Sequence, residues 1–293
     1  MIDFILTVED PVEWHRLNLE RNADHYSCFG RLGPQMVSWS GESLGAGTYF
    51  NTLVRMPGGK LVKYGVIRRS TLERDLRDWD ALYCAGRLHK PVAWVAPPAE
   101  ASSLAAAARA NLSAALDVAL LLSEARFSQT QLLRTICGLS YTGDVRMGWA
   151  EDRAKLERLV EGSRRQLEAL YAPQLDAAAG AGLVERLDGD SWRLTEAGAA
   201  ADAPRLQGLP GALLHTIGRA CGAAPGTSPA QALAAALRAD RAAAQRLVQS
   251  SLARIVRASS ARQTALGLLS AGVGKSAAYG FAKLRKAWRS SRA

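Results

Sequence analysis

Cysteine, histidine and acidic residues are all in short supply. The four cysteines (Cys28, Cys84, Cys137, Cys221) are scattered, and the four histidines (His15, His25, His89, His215) share no metal-ligand spacing. That pattern gives no zinc motif and no disulfide ladder, and suits a reducing compartment with mostly buried thiols. Asp and Glu total 27 against 37 Lys and Arg, a net charge of +10. Such a balance implies an anionic partner: a nucleotide, a nucleic acid or anionic lipid. No apolar run reaches the roughly 18 residues of a membrane span, and Met1 precedes no charged leader, so a soluble or peripheral protein is expected. With 293 residues, 48% of them hydrophobic, the chain can fill the cores of two domains.

The most informative stretch is the first: Met1-Ile2-Asp3-Phe4-Ile5-Leu6-Thr7-Val8-Glu9-Asp10-Pro11. It reads as an apolar strand that belongs in the middle of a sheet, with a carboxylate near its start. An acid at the head of a central strand is a common way to hold Mg²⁺ at a nucleotide site. An acid at a frayed terminus is the plainer alternative. Pro11 begins a helix. Two strands, around Leu44 to Val54 and Lys60 to Ile67, are joined through Pro57-Gly58-Gly59 as a β-hairpin. Ser70-Thr71-Leu72-Glu73 caps a helix whose Leu72, Leu76, Trp79 and Tyr83 share a face, and Pro91 to Val95 reads as a further short strand.

Beyond Pro98 the pattern turns helical. Ser102 to Leu122 is one long Ala- and Leu-rich helix, too short and too charged at Arg109 and Asp117 to span a bilayer. Helices are expected around Gln129 to Cys137, from Asp152 to Tyr171, and from 222 to 246. Two short strands about Asp188-Gly189 behind a helix pair give a winged-helix signature. The tail from Gly272 onward is basic and contains no acid.

Three features carry chemistry. The segment from Trp14 to Ser27 is rich in hydrogen-bonding side chains and suits a substrate rim, although a histidine such as His25 taken alone is more often a surface or capping residue than a catalytic group. Gly45-Ala46-Gly47 lets a backbone approach a ligand or simply bends a strand. Lys63, between Val62 and Tyr64 in a strand facing that of Asp3, needs an anion. Phosphate meets that need, and so does a structural pair with Asp3 or Glu9.

These segments resemble, over nearly the whole chain, the mitochondrial translocator assembly and maintenance protein family. The matching motifs are Asp3-Phe4-Ile5 with Asp10-Pro11, Trp14-His15 with Leu17-Asn18, His25-Tyr26-Ser27, Gly45-Ala46-Gly47 to Asn51, and Lys63-Tyr64-Gly65-Val66. They continue with Leu82-Tyr83, Ala85-Gly86-Arg87-Leu88 and Lys90-Pro91-Val92, then Gly138 to Met147 and Glu151-Asp152, and end with Ile255-Val256-Arg257, Ser259-Ser260 and Arg262-Gln263. The resemblance implies an α+β protein: a nucleotidyltransferase-like mixed-sheet domain (1–100), a helical winged-helix domain (101–200), and a helical C-terminal region (201–293). It implies a peripheral phosphatidate cytidylyltransferase that converts CTP and phosphatidic acid to CDP-diacylglycerol and pyrophosphate with Mg²⁺, in phospholipid biosynthesis.

By that resemblance Asp3 is a metal ligand and catalytic with Lys63, and Lys63 and Tyr64 line a CTP pocket. His25, Tyr26, Ser27, Asn51 and Arg87 are candidate phosphate or head-group contacts, and Asp144, Arg146 and Asp152 close the pocket from another side. Two departures from the pattern stand out. The family's Gly-Ser loop lies upstream of its first acidic strand, so Met1 is expected not to be the functional start and the 293-residue form to have little activity. Where many nucleotidyltransferases carry a second acid, this chain has Ile5, leaving Glu9 or Asp10, or phosphate and water, to complete a metal site. An inactive truncated homologue and a winged-helix nucleic-acid-binding protein are the alternatives. The acids among the bases of the presumed recognition helix argue against nucleic acid. Residues 272–293, with Ala277, Phe281, Leu284 and Trp288 at helical spacing among basic residues, are expected to bind an anionic membrane. The expected location is cytoplasmic, on the inner face of the cell membrane.

Overall fold

β1 (Ile2–Val8) and α1 (Pro11–Arg21) meet at Asp10, whose carboxylate caps the helix by accepting from the Val12 and Glu13 amides. Pro11 sits in the first turn, where its missing N–H costs nothing. The computed structural model describes residues 2–147, 155–200, 202–222 and 226–290, with side chains as far as Leu269. By compactness the chain divides into two units, one of residues 1–73, 145–152 and 258–293, the other of 74–144 and 153–257. The architecture is mixed α+β.

In the first unit α2 (Pro34–Trp39) precedes a hairpin of β2 (Thr48–Arg55) and β3 (Leu61–Arg68). Gly58 and Gly59, at φ 84° and 77°, make its turn, a conformation closed to most side chains. The strand order is β1-β3-β2, with β1 parallel and β2 antiparallel to β3. The hairpin matches expectation. The position of β1 does not: it is an outer strand of this sheet, its side chains exposed or half-buried, and β3 is the central strand. One face of the sheet packs Phe4, Leu6, Val8, Val54, Tyr64 and Val66 with Trp14 of α1. Nearby, Tyr26, Val37 and Tyr49 pack with Leu19 and Phe29.

β3 runs directly into α3 (Arg69–Asp78), without the expected Ser70 cap. Leu72 and Leu76 are its buried face, whereas Trp79 and Tyr83 lie beyond its end. That loop belongs to the second unit and is built around Asp75. One carboxylate oxygen accepts from the Ala81 and Leu82 amides (2.9 and 2.8 Å), the other from Cys84 and Ala85 (both 2.9 Å). Trp79 and Leu82 hold left-handed backbone at φ 56° and 49°, a strained geometry that persists only where its surroundings fix it. Burial pushes the Asp75 carboxyl up, and the four N–H donors push it back down.

The loop delivers α4 (Ala85–Leu88) to α5 (Ser103–Leu122). Asn111 of α5 accepts from Trp79 Nε1 at 2.9 Å and pairs with His89 Nε2 at 3.1 Å. It donates to the Ala85 carbonyl. Contrary to expectation, α5 is long and apolar enough by length and composition to cross a membrane. Most of its surface is buried instead in the protein, as suits a core helix. Residues 91–95 form no strand; Val92, Trp94 and Val95 are exposed, Val95 82%, and no neighbouring strand offers a ladder.

β4 (Arg126–Ser128) leads into α6 (Gln129–Gly138) through a Ser128/Gln131 capping box. The expected helix from Asp152 to Tyr171 is two, α7 (Lys155–Gly162) and α8 (Arg164–Gly180), interrupted at Ser163. β5 (Val184–Arg186) and β6 (Ser191–Leu194) follow, in an antiparallel sheet of order β4-β6-β5. After α9 (Glu196–Ala200), α10 (Ala203–Leu206) and α11 (Gly211–Cys221), Asp240 separates α12 (Pro229–Ala239) from α13 (Arg241–Ser290). The backbone of the basic tail is helical to Ser290, but its expected apolar stripe lies outside the described side chains.

Replacing Asp75 by Ala would leave four buried N–H groups without their acceptor. The expected loss is about 3–5 kcal/mol of unfolding free energy, read from urea denaturation, and Asp75→Asn should recover only part of it.

Candidate functional site

α1 presents His15, Asn18 and Asn22 at spacings of three and four, so all three share one face of the helix. Asn18 is the hub. Its amide nitrogen donates to the hydroxyls of both Tyr26 and Tyr64 (2.9 Å each), and its oxygen accepts from Asn22 Nδ2 at 2.8 Å. Having accepted from Asn18, the Tyr26 hydroxyl can donate to His15 Nδ1 at 2.8 Å, and that of Tyr64 to His25 Nδ1 at 2.9 Å. Those bonds leave each imidazole proton on Nε2. Ser27 Oγ meets the Tyr49 hydroxyl at 3.1 Å, and the Tyr49 and Tyr26 rings stack.

Burial sets the protonation of this group. It raises the Tyr26, Tyr49 and Tyr64 hydroxyls, Tyr26 most, so all three stay protonated at neutral pH. It lowers His15 to about 4, so that ring is neutral. Asn51 of β2 is only 2% exposed and lies near the Tyr26 and Tyr64 hydroxyls, yet neither amide atom makes a hydrogen bond of good geometry. Half-buried His25, held by Tyr64, can offer Nε2–H to an anionic oxygen.

Of the residues expected from sequence, His25, Tyr26, Asn51 and Tyr64 therefore come together, with Ser27 attached through Tyr49. Asp3 and Lys63 do not join them. The register pairs Asp3 with Lys63 and Phe4 with Tyr64, and alternate side chains point to opposite faces. Lys63 and Tyr64 thus line different sides of the sheet. On its side, the Lys63 ammonium lies 4.2 Å from the centre of the Phe50 ring, beside exposed Asp3. Arg87 and buried Asp144 belong to the second unit, where Arg87 stacks on Tyr83 and donates to its carbonyl. Arg146 is half-buried in the first unit, and Asp152 lies outside the described residues.

His15 and Asn18 are the residues that site reasoning missed, although their spacing on α1 was legible. The Gly45-Ala46-Gly47 bend has a structural occupant. Ala46 N donates to Gln263 Oε1 of α13 at 2.9 Å, and a Cβ on Gly45 would collide with the Gly41 carbonyl and Leu266.

The two acids expected to substitute for the absent second carboxylate are engaged elsewhere. Asp10 caps α1, and Glu9 pairs with Arg69 at 2.8 Å. Among the described residues no group of three or more His, Cys, Asp or Glu is placed to hold a metal. Exposed Asp3 offers a single carboxylate. That donor set fits a hard cation that takes most of its ligands from phosphate and water, as Mg²⁺ does.

His15 generates a pH prediction. Between its unfolded value near 6.5 and its folded value of about 4 the unfolded chain binds a proton that the folded chain refuses. Stability should therefore fall as pH drops through that window. His89, lowered by burial to about 3, acts in the same direction. Denaturation curves at pH 7.5 and 4.5 should show the loss, and His15→Gln should reduce the difference without removing it.

Residues 1–286 match the family model described as mitochondrial phosphatidate cytidylyltransferase. A mitochondrial phosphatidate cytidylyltransferase of Rattus norvegicus is 39% identical over 298 residues, covering 99% of this chain and 84% of that protein. The Danio rerio protein of the same name is 35% identical with the same coverages. That of Schizosaccharomyces pombe is 34% identical over 98% of this chain and 74% of its own length. These names correct the expectation of a cytoplasmic enzyme on the inner face of the cell membrane, because the similar proteins are all described as mitochondrial. With one family model spanning nearly the whole chain and relatives above 30% identity throughout it, the chain belongs to the mitochondrial phosphatidate cytidylyltransferase family.

Proposed function

We infer that this chain is a phosphatidate cytidylyltransferase, joining CTP and phosphatidic acid into CDP-diacylglycerol and pyrophosphate. The observation that carries the reading is the family match across residues 1–286. A phosphatidate oxygen attacks the α-phosphorus of CTP. A new P–O bond forms as the bond to the bridging β-phosphate oxygen breaks, and pyrophosphate leaves with the electron pair. Positive charge on the transferring and leaving phosphates lowers the barrier. Lys63 is the proposed source on the Asp3 face, and Arg146 is a further candidate. His25, Tyr26, Ser27, Asn51 and Tyr64 form the proposed substrate rim, with His15 and Asn18 fixing their hydroxyls and rings; Arg87, Asp144 and Asp152 are proposed contacts from their own segments. A divalent cation, Mg²⁺, held by Asp3 and substrate phosphate, would supply charge neutralisation.

The sheet of the first unit is proposed to be nucleotidyltransferase-like, and the β4-β6-β5 sheet with α6 to α8 a winged helix. The order strand, three helices, hairpin supports the latter. Because phosphatidic acid resides in a bilayer, residues 272–293 are proposed to hold the enzyme on an anionic membrane surface, the basic tail attracting lipid at about 1 kcal/mol per cation.

The test is turnover by the full-length protein with labelled CTP and phosphatidate vesicles, the product identified by mass spectrometry. CDP-diacylglycerol should form. Asp3→Asn should abolish turnover with the fold intact, and Lys63→Ala should weaken CTP binding by about 1.5–3 kcal/mol. A folded protein that binds neither CTP nor phosphatidate would instead be an inactive homologue. Near-normal activity of Asp3→Asn would make that carboxylate structural. Deleting 272–293 should abolish sedimentation with anionic liposomes while CTP binding survives; unchanged sedimentation would mean that the tail packs on the body instead.

A further inference from the structure

Lys90 follows α4 in the second unit, in a part of the chain to which the expected site assigned only Arg87. Its ammonium donates to the Gly86 carbonyl at 2.5 Å and to Ser140 Oγ at 2.8 Å. It lies 4.7 Å from the centre of the Tyr141 ring, and the Lys155 ammonium lies 5.2 Å from the same ring. The close approach is specific to glycine at position 86, because a Cβ there would run into the Ser140 side chain. Arg87, one turn away over the Tyr83 ring, adds a third positive charge that acts on Lys90.

This concentration of like charge is costly. Burial lowers the Lys90 ammonium to about 7, and Arg87 and Lys155 push in the same direction. Among the described residues the group pulling it back is the Cys137 thiol, itself raised by burial to about 11 and therefore neutral. No carboxylate among the described residues acts on Lys90. A desolvated cation without a counter-charge is unfavourable unless the protein uses it. Among the described residues two oxygens take two of its three hydrogens, and the third can serve a ligand. Lys90, Arg87, Ser140, Tyr141 and Lys155 each keep part of their surface exposed, so the cluster lies near the protein surface although the ammonium itself is desolvated.

We propose that Lys90, with Ser140, Arg87 and Lys155 around it, is a phosphate-binding subsite of the second unit. Its ligand chemistry is a phosphate bearing two or more negative charges. On the cytidylyltransferase reading, on which the ligand's identity rests, that phosphate comes either from the triphosphate of CTP or from the head group of phosphatidate. A phosphate dianion restores the charge balance and accepts the remaining ammonium hydrogen.

The test uses the full-length protein and inorganic pyrophosphate as probe. Calorimetry at low salt should show binding that Lys90→Met, which keeps the apolar stem, weakens at least tenfold, and that Lys90→Arg partly restores. In the unsubstituted protein, pyrophosphate should protect Lys90 from acylation at pH 7, read by peptide mass spectrometry. This readout remains available if Lys90→Met does not fold, and a merely structural lysine would not move it. In turnover assays, a raised KM for CTP in Lys90→Met assigns the subsite to the triphosphate, and a raised KM for phosphatidate assigns it to the lipid head group. A folded Lys90→Met protein with unchanged pyrophosphate affinity overturns the proposal, as does labelling of Lys90 that pyrophosphate leaves unaltered. Pyrophosphate binding that depends on Lys90 in a protein without cytidylyltransferase activity would sustain the subsite while removing the activity.

Discussion

The carboxylate of Asp75 holds together the part of the second unit that bears Arg87 and Lys90. Four backbone N–H groups converge on its two oxygens. That convergence keeps Trp79 and Leu82 in left-handed backbone and turns the chain sharply enough to start α4 at Ala85. From there Asn111 ties Trp79, Ala85 and His89 to the core helix α5, and the Tyr171 hydroxyl donates to the His89 carbonyl. Arg87 and Lys90 are placed by this frame. Strain in the loop is offset by the four hydrogen bonds that converge on this one carboxyl group.

The first unit follows a different logic. Its polar centre is a chain of hydrogen bonds running from His15 through Tyr26, Asn18 and Tyr64 to His25. Burial keeps the hydroxyls protonated and the His15 ring neutral. The charged pair of positions, Asp3 and Lys63, lies across the sheet. A strand delivers alternate residues to opposite faces, so one short motif, Lys63-Tyr64, contributes to both environments. The family motifs therefore mix residues that orient others with residues that meet solvent.

Much of the local architecture was legible. The β2–β3 hairpin followed from Pro57-Gly58-Gly59 between apolar runs and the β5–β6 hairpin from Asp188-Gly189, because turn chemistry acts over a few residues. The 91–95 segment misled because its apolar residues suggest a strand, whereas a strand also needs a partner ladder and none is adjacent. The break between α7 and α8 falls at Gly162-Ser163, a turn signal that the charged helical residues on both sides masked. In the candidate site, His25, Tyr26, Asn51 and Tyr64 were identifiable, but Asn18 was visible only as a motif residue; its bond to Tyr64 spans 46 positions.

The sequence by itself determined the family, the two hairpins and the long core helix. Each of these depends on side-chain identity, on period or on spacing along the chain. Only the tertiary structure decided that β1 lies outside β3, that Asp10 and Glu9 are occupied by a helix cap and by Arg69, and that Gln263 reaches Ala46 across 217 positions. It alone brought Lys90 and Lys155 to Tyr141, with Lys90 also bonded to Ser140. The reason is physical. Burial, counter-charge and hydrogen-bond saturation depend on which distant groups surround a side chain, and a linear pattern carries no record of those neighbours.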